Sequence, residues 1–125
     1  MSKTAKANLN IFDLEFLSAF ASSPELKERM KKAELMLKQK AKENWDVEVG
    51  SDNWKEIIKM RTWVSRDPKI AEQIRQANDI SRLVSGMVVE MDLTKDELEG
   101  LMNRIEGMGG VDDMQRKLKD ALSQL

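Results

Sequence analysis

A chain of 125 residues, 41% hydrophobic and 34% charged, has room for one domain around one core. It contains no cysteine, histidine or tyrosine, which excludes disulfides, thiol nucleophiles, cysteine- or histidine-ligated metals and histidine acid–base chemistry. A net charge of −1 argues against a generic polyanion binder, and no apolar run approaches the roughly eighteen residues that a membrane-spanning helix needs.

Residues 1–9 are expected to form a flexible N-terminus ahead of a single helical domain spanning 10–125. Lys3 and Lys6 precede an apolar stretch that closes on Ala19-Phe20-Ala21, a faint likeness to a secretory leader. Asp13 and Glu15 interrupt that stretch, so export is not expected and a cytoplasmic location is. The first helix is expected over about 11–21. It holds all three phenylalanines of the chain, Phe12, Phe16 and Phe20, four residues apart. On a helix that spacing makes one stripe. A helix this short is marginal alone in water and must dock somewhere. Either it closes its own domain's core, or its stripe is laid against another chain, including a second copy of this one.

Ser23-Pro24-Glu25 reads as a helix start, with Ser23 as cap, proline at the first position and an acid at the positive end of the dipole. Leu26, Met30, Ala33, Leu37, Ala41 and Trp45 then follow at helical spacing, giving a helix over 24–45. Gly50-Ser51-Asp52 breaks the chain and offers a new cap. A shorter helix is expected over 52–65, with Trp54, Ile57, Ile58 and Val64 on one side. Trp54 and Trp63 are nine residues apart, half a turn out of phase, so Trp63 falls on the side of Glu56 and Lys59. Trp63 is thus a candidate contact residue, unless the turn that follows covers it.

Asp67-Pro68 repeats the cap-plus-proline device and opens a long helix expected over 68–91. Ile70, Ile74, Ala77, Val84, Val88 and Met91 form its main stripe, and "RLVSGMVVEM" broadens to apolar on most sides, as in a centrally buried helix. Gly86 inside it costs about 1 kcal/mol relative to alanine; close approach of a neighbouring helix would offset this. Thr94-Lys95-Asp96-Glu97 is a capping-box pattern opening a helix over 95–106, with Leu98, Leu101, Met102 and Ile105 inward. Gly107, Gly109 and Gly110 end it. Val111, Met114, Leu118, Leu122 and Leu125 mark a last helix over 111–124. Alternating strand patterns are nearly missing. The expected fold class is therefore all-α, a five- or six-helix bundle with a short N-terminal amphipathic helix.

Charge is unevenly spread. Residues 55–83 hold seven basic and four acidic side chains, net +3, while residues 84–113 hold two and eight, net −6. The basic segment offers Lys69, Arg75 and Arg82 to phosphates, or the two lobes match charged partners. Asp92–Gly100 is acidic but lacks the spaced Asp/Asn-Gly core of a calcium loop, so no metal or other cofactor is expected. Nine methionines are many for this length and serve as gap filler or adaptable surface.

The leading expectation is a non-enzymatic protein-binding protein: a small adaptor, assembly chaperone or inhibitor, of the style of a bacterial or bacteriophage accessory protein. It would bind a protein partner or a second copy as a homodimer through Phe12, Phe16, Phe20 and Trp63. The alternative is a DNA-binding helical module using Lys69, Arg75 and Arg82. An enzyme would have to rest on carboxylates, lysines and hydroxyls alone, and no paired constellation can be located. No membrane role is expected, because the N-terminal helix has no basic residues beside its apolar face.

Overall fold

The computed structural model describes residues 3–125. Six helices and one two-stranded antiparallel ribbon follow in the order β1 (Thr4–Leu9), α1 (Ile11–Ser18), α2 (Pro24–Trp45), α3 (Asp52–Met60), α4 (Pro68–Gly86), β2 (Val89–Thr94), α5 (Lys95–Ile105) and α6 (Asp112–Leu122). The fold is predominantly α-helical, as the periodicity predicts. The ribbon is the departure from it.

Where a flexible N-terminus is expected, Thr4–Leu9 is a strand; residues 1 and 2 lie outside the described residues. β1 pairs with β2 in the register Ala5↔Leu93, Ala7↔Met91 and Leu9↔Val89. Along both strands alternate residues face the core. Ala5, Ala7, Leu9, Met91 and Leu93 are buried, with Ala5 and Ala7 of β1 opposite the larger Leu93 and Met91 of β2. The other face carries Lys6, Asn8, Glu90 and Asp92, with Lys6 and Glu90 3.4 Å apart. α6 packs on β1, and the Lys6 amide on the outer edge of that strand donates to Gln124 Oε1 at 3.4 Å.

The long helix expected over 68–91 therefore ends at Gly86, and its last segment is a strand. "VEMDLT" alternates apolar and polar with a period of two, and the β-branched pair Val88-Val89 disfavours further helix. Gly86 serves no close helix approach. A Cβ built there would meet nothing within 4 Å.

Local signals decide most other boundaries. The Ser23 side chain accepts from the Leu26 amide at 3.1 Å, and Thr94 and Glu97 form the reciprocal capping box at 3.2 and 2.9 Å. α2 ends on Asp46, whose φ of 54° lies in the left-handed region that aspartate tolerates better than most residues. Lys42 Nζ holds the Asp46 carboxylate at 2.6 Å. α3 stops at Met60, short of the expected 65. The Thr62 hydroxyl donates back to the Lys59 carbonyl at 2.8 Å, and Thr62-Trp63-Val64 contains two β-branched residues.

The core lies between the inner face of the ribbon, α1, α2, α5 and α6. Its fully buried members include Leu9, Ile11, Leu14, Leu17, Leu26, Met30, Leu37, Leu98, Leu101, Ile105 and Leu118. α3 and α4 pack on each other as a hairpin, tied by Arg61 Nη1 donating to Ser81 Oγ at 2.7 Å. Residues 66–73 at the start of α4 are exposed throughout, Ile70 among them.

Candidate protein-binding surface

α1 is fixed at both ends and from beneath. Asn10 and Asp13 form a capping box: the Asp13 amide donates to Asn10 Oδ1 at 2.9 Å and the Asn10 amide to Asp13 Oδ2 at 3.0 Å. Asn10 Nδ2 also donates to the Ser85 carbonyl at the end of α4, at 3.2 Å. The buried Asp13 carboxylate receives Lys117 Nζ of α6 at 2.5 Å, an ion pair shielded on both sides. Just past the helix, Arg104 Nη1 of α5 donates to the Phe20 carbonyl at 2.8 Å. Three other elements, α4, α5 and α6, thus set the orientation of one eight-residue helix.

That orientation answers the question raised by the phenylalanine spacing. The core takes a different stripe of α1: Ile11, Leu14 and Leu17 are fully buried, and Ser18 is buried beside them. Phe12 and Phe16 lie nearly half a turn around the helix from the middle of that stripe, and with Phe20 just past the helix end they are only partly buried. Glu15 and Ala19 between them are exposed. The Phe12 ring stacks on Trp54 of α3, centroids 6.1 Å apart, and the Phe16 and Phe20 rings lie 5.1 Å apart.

Two adjoining hollows follow this row. One, of about 540 Å3, is lined by Phe12, Glu15, Phe16, Ala19 and Phe20. The other, of about 390 Å3, shares Phe12 and Glu15 and runs on to Val49, Gly50, Trp54 and Ile58, with Lys38, Lys55 and Lys59 around it. The result is a continuous shallow groove with an aromatic floor at the junction of α1 and α3.

The other candidate residues lie elsewhere. Trp63 is 42% exposed in the turn after α3, beside Val64 at 97%, and it lines neither hollow. Trp54, which the expected contact set lacks, belongs to the groove as the buried support beneath Phe12. Its phase with Ile58 was the available signal. Lys69, Arg75 and Arg82 are all exposed on α4. Arg75 and Arg82 share a side of that helix, while Lys69 lies about 120° around it. Arg75 is already engaged. It pairs with Glu72 through Nε at 2.9 Å and through Nη2, and reaches Asp79 at 3.5 Å. The Arg75 hydrogen bond holds the Glu72 carboxyl below its ordinary 4.5. The three cations therefore do not converge.

Among the described residues no group of three or more acidic side chains is placed to hold a metal ion, and no helix is long and apolar enough to cross a membrane. No family model, curated protein or solved structure matches this chain.

Proposed function

We propose that this chain is a non-enzymatic protein-binding protein that works by seating another polypeptide on the α1–α3 groove, in the manner of a small adaptor, assembly chaperone or inhibitor. One observation carries the reading. The core is closed by Ile11, Leu14 and Leu17, while Phe12 and Phe16 of the same helix and Phe20 just past its end remain partly outside it as a continuous row. A row of aromatic rings at the surface is what interface hot spots are built from. Rigid backing adds to this. Trp54 braces Phe12, and polar contacts from α4, α5 and α6 fix α1, so little ordering cost remains when a partner docks.

The test is the Phe12→Ala/Phe16→Ala variant. Tagged wild-type chain and variant are isolated from the cells that naturally make the protein, and their far-ultraviolet circular dichroism is compared in parallel. The expected result is an associated protein present with the wild type and lost with the variant, at unchanged helical signal. Retention of the same associated protein by the variant, or collapse of its helical signal, contradicts the reading.

A further inference from the structure

The groove has walls of mainly one sign. Lys38, Lys55 and Lys59 line the hollow beside Phe12 and Trp54, against Glu15 alone. Glu34 holds Lys38 at 3.0 Å, but Lys55 reaches Asp52 only at 4.0 Å, and Lys59 forms no ion pair among the described residues. Lys55 and Lys59 are four residues apart on α3 and so rise from one side of it, beside the apolar floor.

This charge decides between occupants. A second copy docking across a twofold axis presents the same lysine-rich patch from both sides, and Glu15 can answer only one lysine per copy. A segment with carboxylates beside its apolar anchors satisfies floor and walls together. Length fits a helix as well. From Phe12 in the first turn of α1 to Phe20 just past its end the row spans about 12 Å, which two to three turns of a docked helix cover with anchors at i, i+4 and i+7.

We infer that the groove takes an acidic amphipathic helix of a partner protein, its apolar face on Phe12, Phe16 and Phe20 and its flanking Asp or Glu side chains on Lys55 and Lys59. This rests on the protein-binding function proposed above and adds the partner's shape and charge.

The probes are two synthetic helical peptides with the same Leu/Phe face, one with glutamate and one with lysine on the polar face. Each is titrated into the isotopically labelled full chain, with amide shifts reporting the site and peptide fluorescence anisotropy the affinity. The acidic twin should bind about tenfold or more tightly than the basic one, since two exposed ion pairs each contribute severalfold. The gap should narrow as salt rises from about 50 to about 300 mM. Lys55→Glu/Lys59→Glu should erase or reverse it with circular dichroism unchanged, and Phe12→Ala/Phe16→Ala should weaken both twins. Equal binding of the twins at the Phe row overturns the charge selection and leaves the protein-binding function standing. Shifts at the Phe row from neither twin overturn both. A dimer of the chain alone that strengthens with salt and vanishes in Phe12→Ala/Phe16→Ala replaces the acidic helix with a second copy.

Discussion

The two apolar sides of α1 should separate in a stability measurement. Leu14 and Leu17 are fully buried, so replacing each by alanine removes its burial and leaves a cavity, costing about 2–5 kcal/mol. The two leucines are one turn apart and share neighbours, so their costs do not simply add. Even so, the pair approaches the whole stability of a typical domain, about 5–15 kcal/mol. Phe12 and Phe16 are only partly buried. Full burial of such a side chain contributes about 1.5–3 kcal/mol, and most of each ring is out of water, so each substitution costs about 1–2.5 kcal/mol. Phe12→Ala also gives up the stack on Trp54, about 0.5–1.5 kcal/mol more. Urea unfolding followed by circular dichroism at 222 nm reads these costs directly. Leu14→Ala/Leu17→Ala should be largely unfolded or lose most of its stability, while Phe12→Ala/Phe16→Ala should still fold, with a lowered midpoint and a clearly smaller loss. Equal losses in the two double variants would show that the phenylalanine row is core and refute the reasoning.

Removing residues 1–9 should destabilise the protein by several kcal/mol, because it takes away Ala5, Ala7 and Leu9 and unpairs β2; thermal melts of the shortened chain check this, and an unchanged melting temperature contradicts the ribbon. Lys117→Met should cost about 1–3 kcal/mol by leaving the buried Asp13 carboxylate without its cation, read by chemical denaturation against an exposed control such as Lys31→Met. The Asp46 carboxyl should titrate below its ordinary 3.8, since the Lys42 hydrogen bond favours its charged form. A carboxylate with a depressed folded-state pKa contributes stability above its unfolded value and loses it as pH falls through the folded one. The pair should therefore open only below pH about 4, and Lys42→Met should return the Asp46 midpoint, followed by carboxyl NMR, toward 3.8. Gly86→Ala should be tolerated and raise the melting temperature by a few degrees, as open space surrounds that helical position.

Helix starts were the most legible part of the sequence. Ser23-Pro24, Asp67-Pro68 and Thr94…Glu97 each act through short-range hydrogen bonds that need no tertiary partner, and each sits where the residues put it. The ribbon was hidden for the opposite reason. β1 is TAKANL, whose inward residues are two alanines and a leucine, and alanine carries no strand preference. Its pairing partner lies some eighty residues on, so the conformation of both segments is set by a contact that local pattern does not encode. β2 was legible in its alternation, but the apolar run before it blurred the change of period from 3.6 to two. At the surface, the spacing of Phe12, Phe16 and Phe20 showed that a stripe exists. Which stripe of α1 faces inward depends on Asn10, Asp13–Lys117 and Arg104, contacts among distant elements. The same holds for Trp54, drawn to Phe12 across the fold, and for Trp63, left in a turn because α3 stops early.

The account stands on the phenylalanine row being met by another polypeptide. Site-specific photo-crosslinking from position 16, in the cells that make the protein, tests that most directly, with position 35 on α2 as a more accessible control (Leu35 is 63% exposed and away from the groove). A discrete protein adduct from position 16 that is absent from position 35 is the predicted result. No adduct from position 16, or the same diffuse pattern from both positions, would contradict the account.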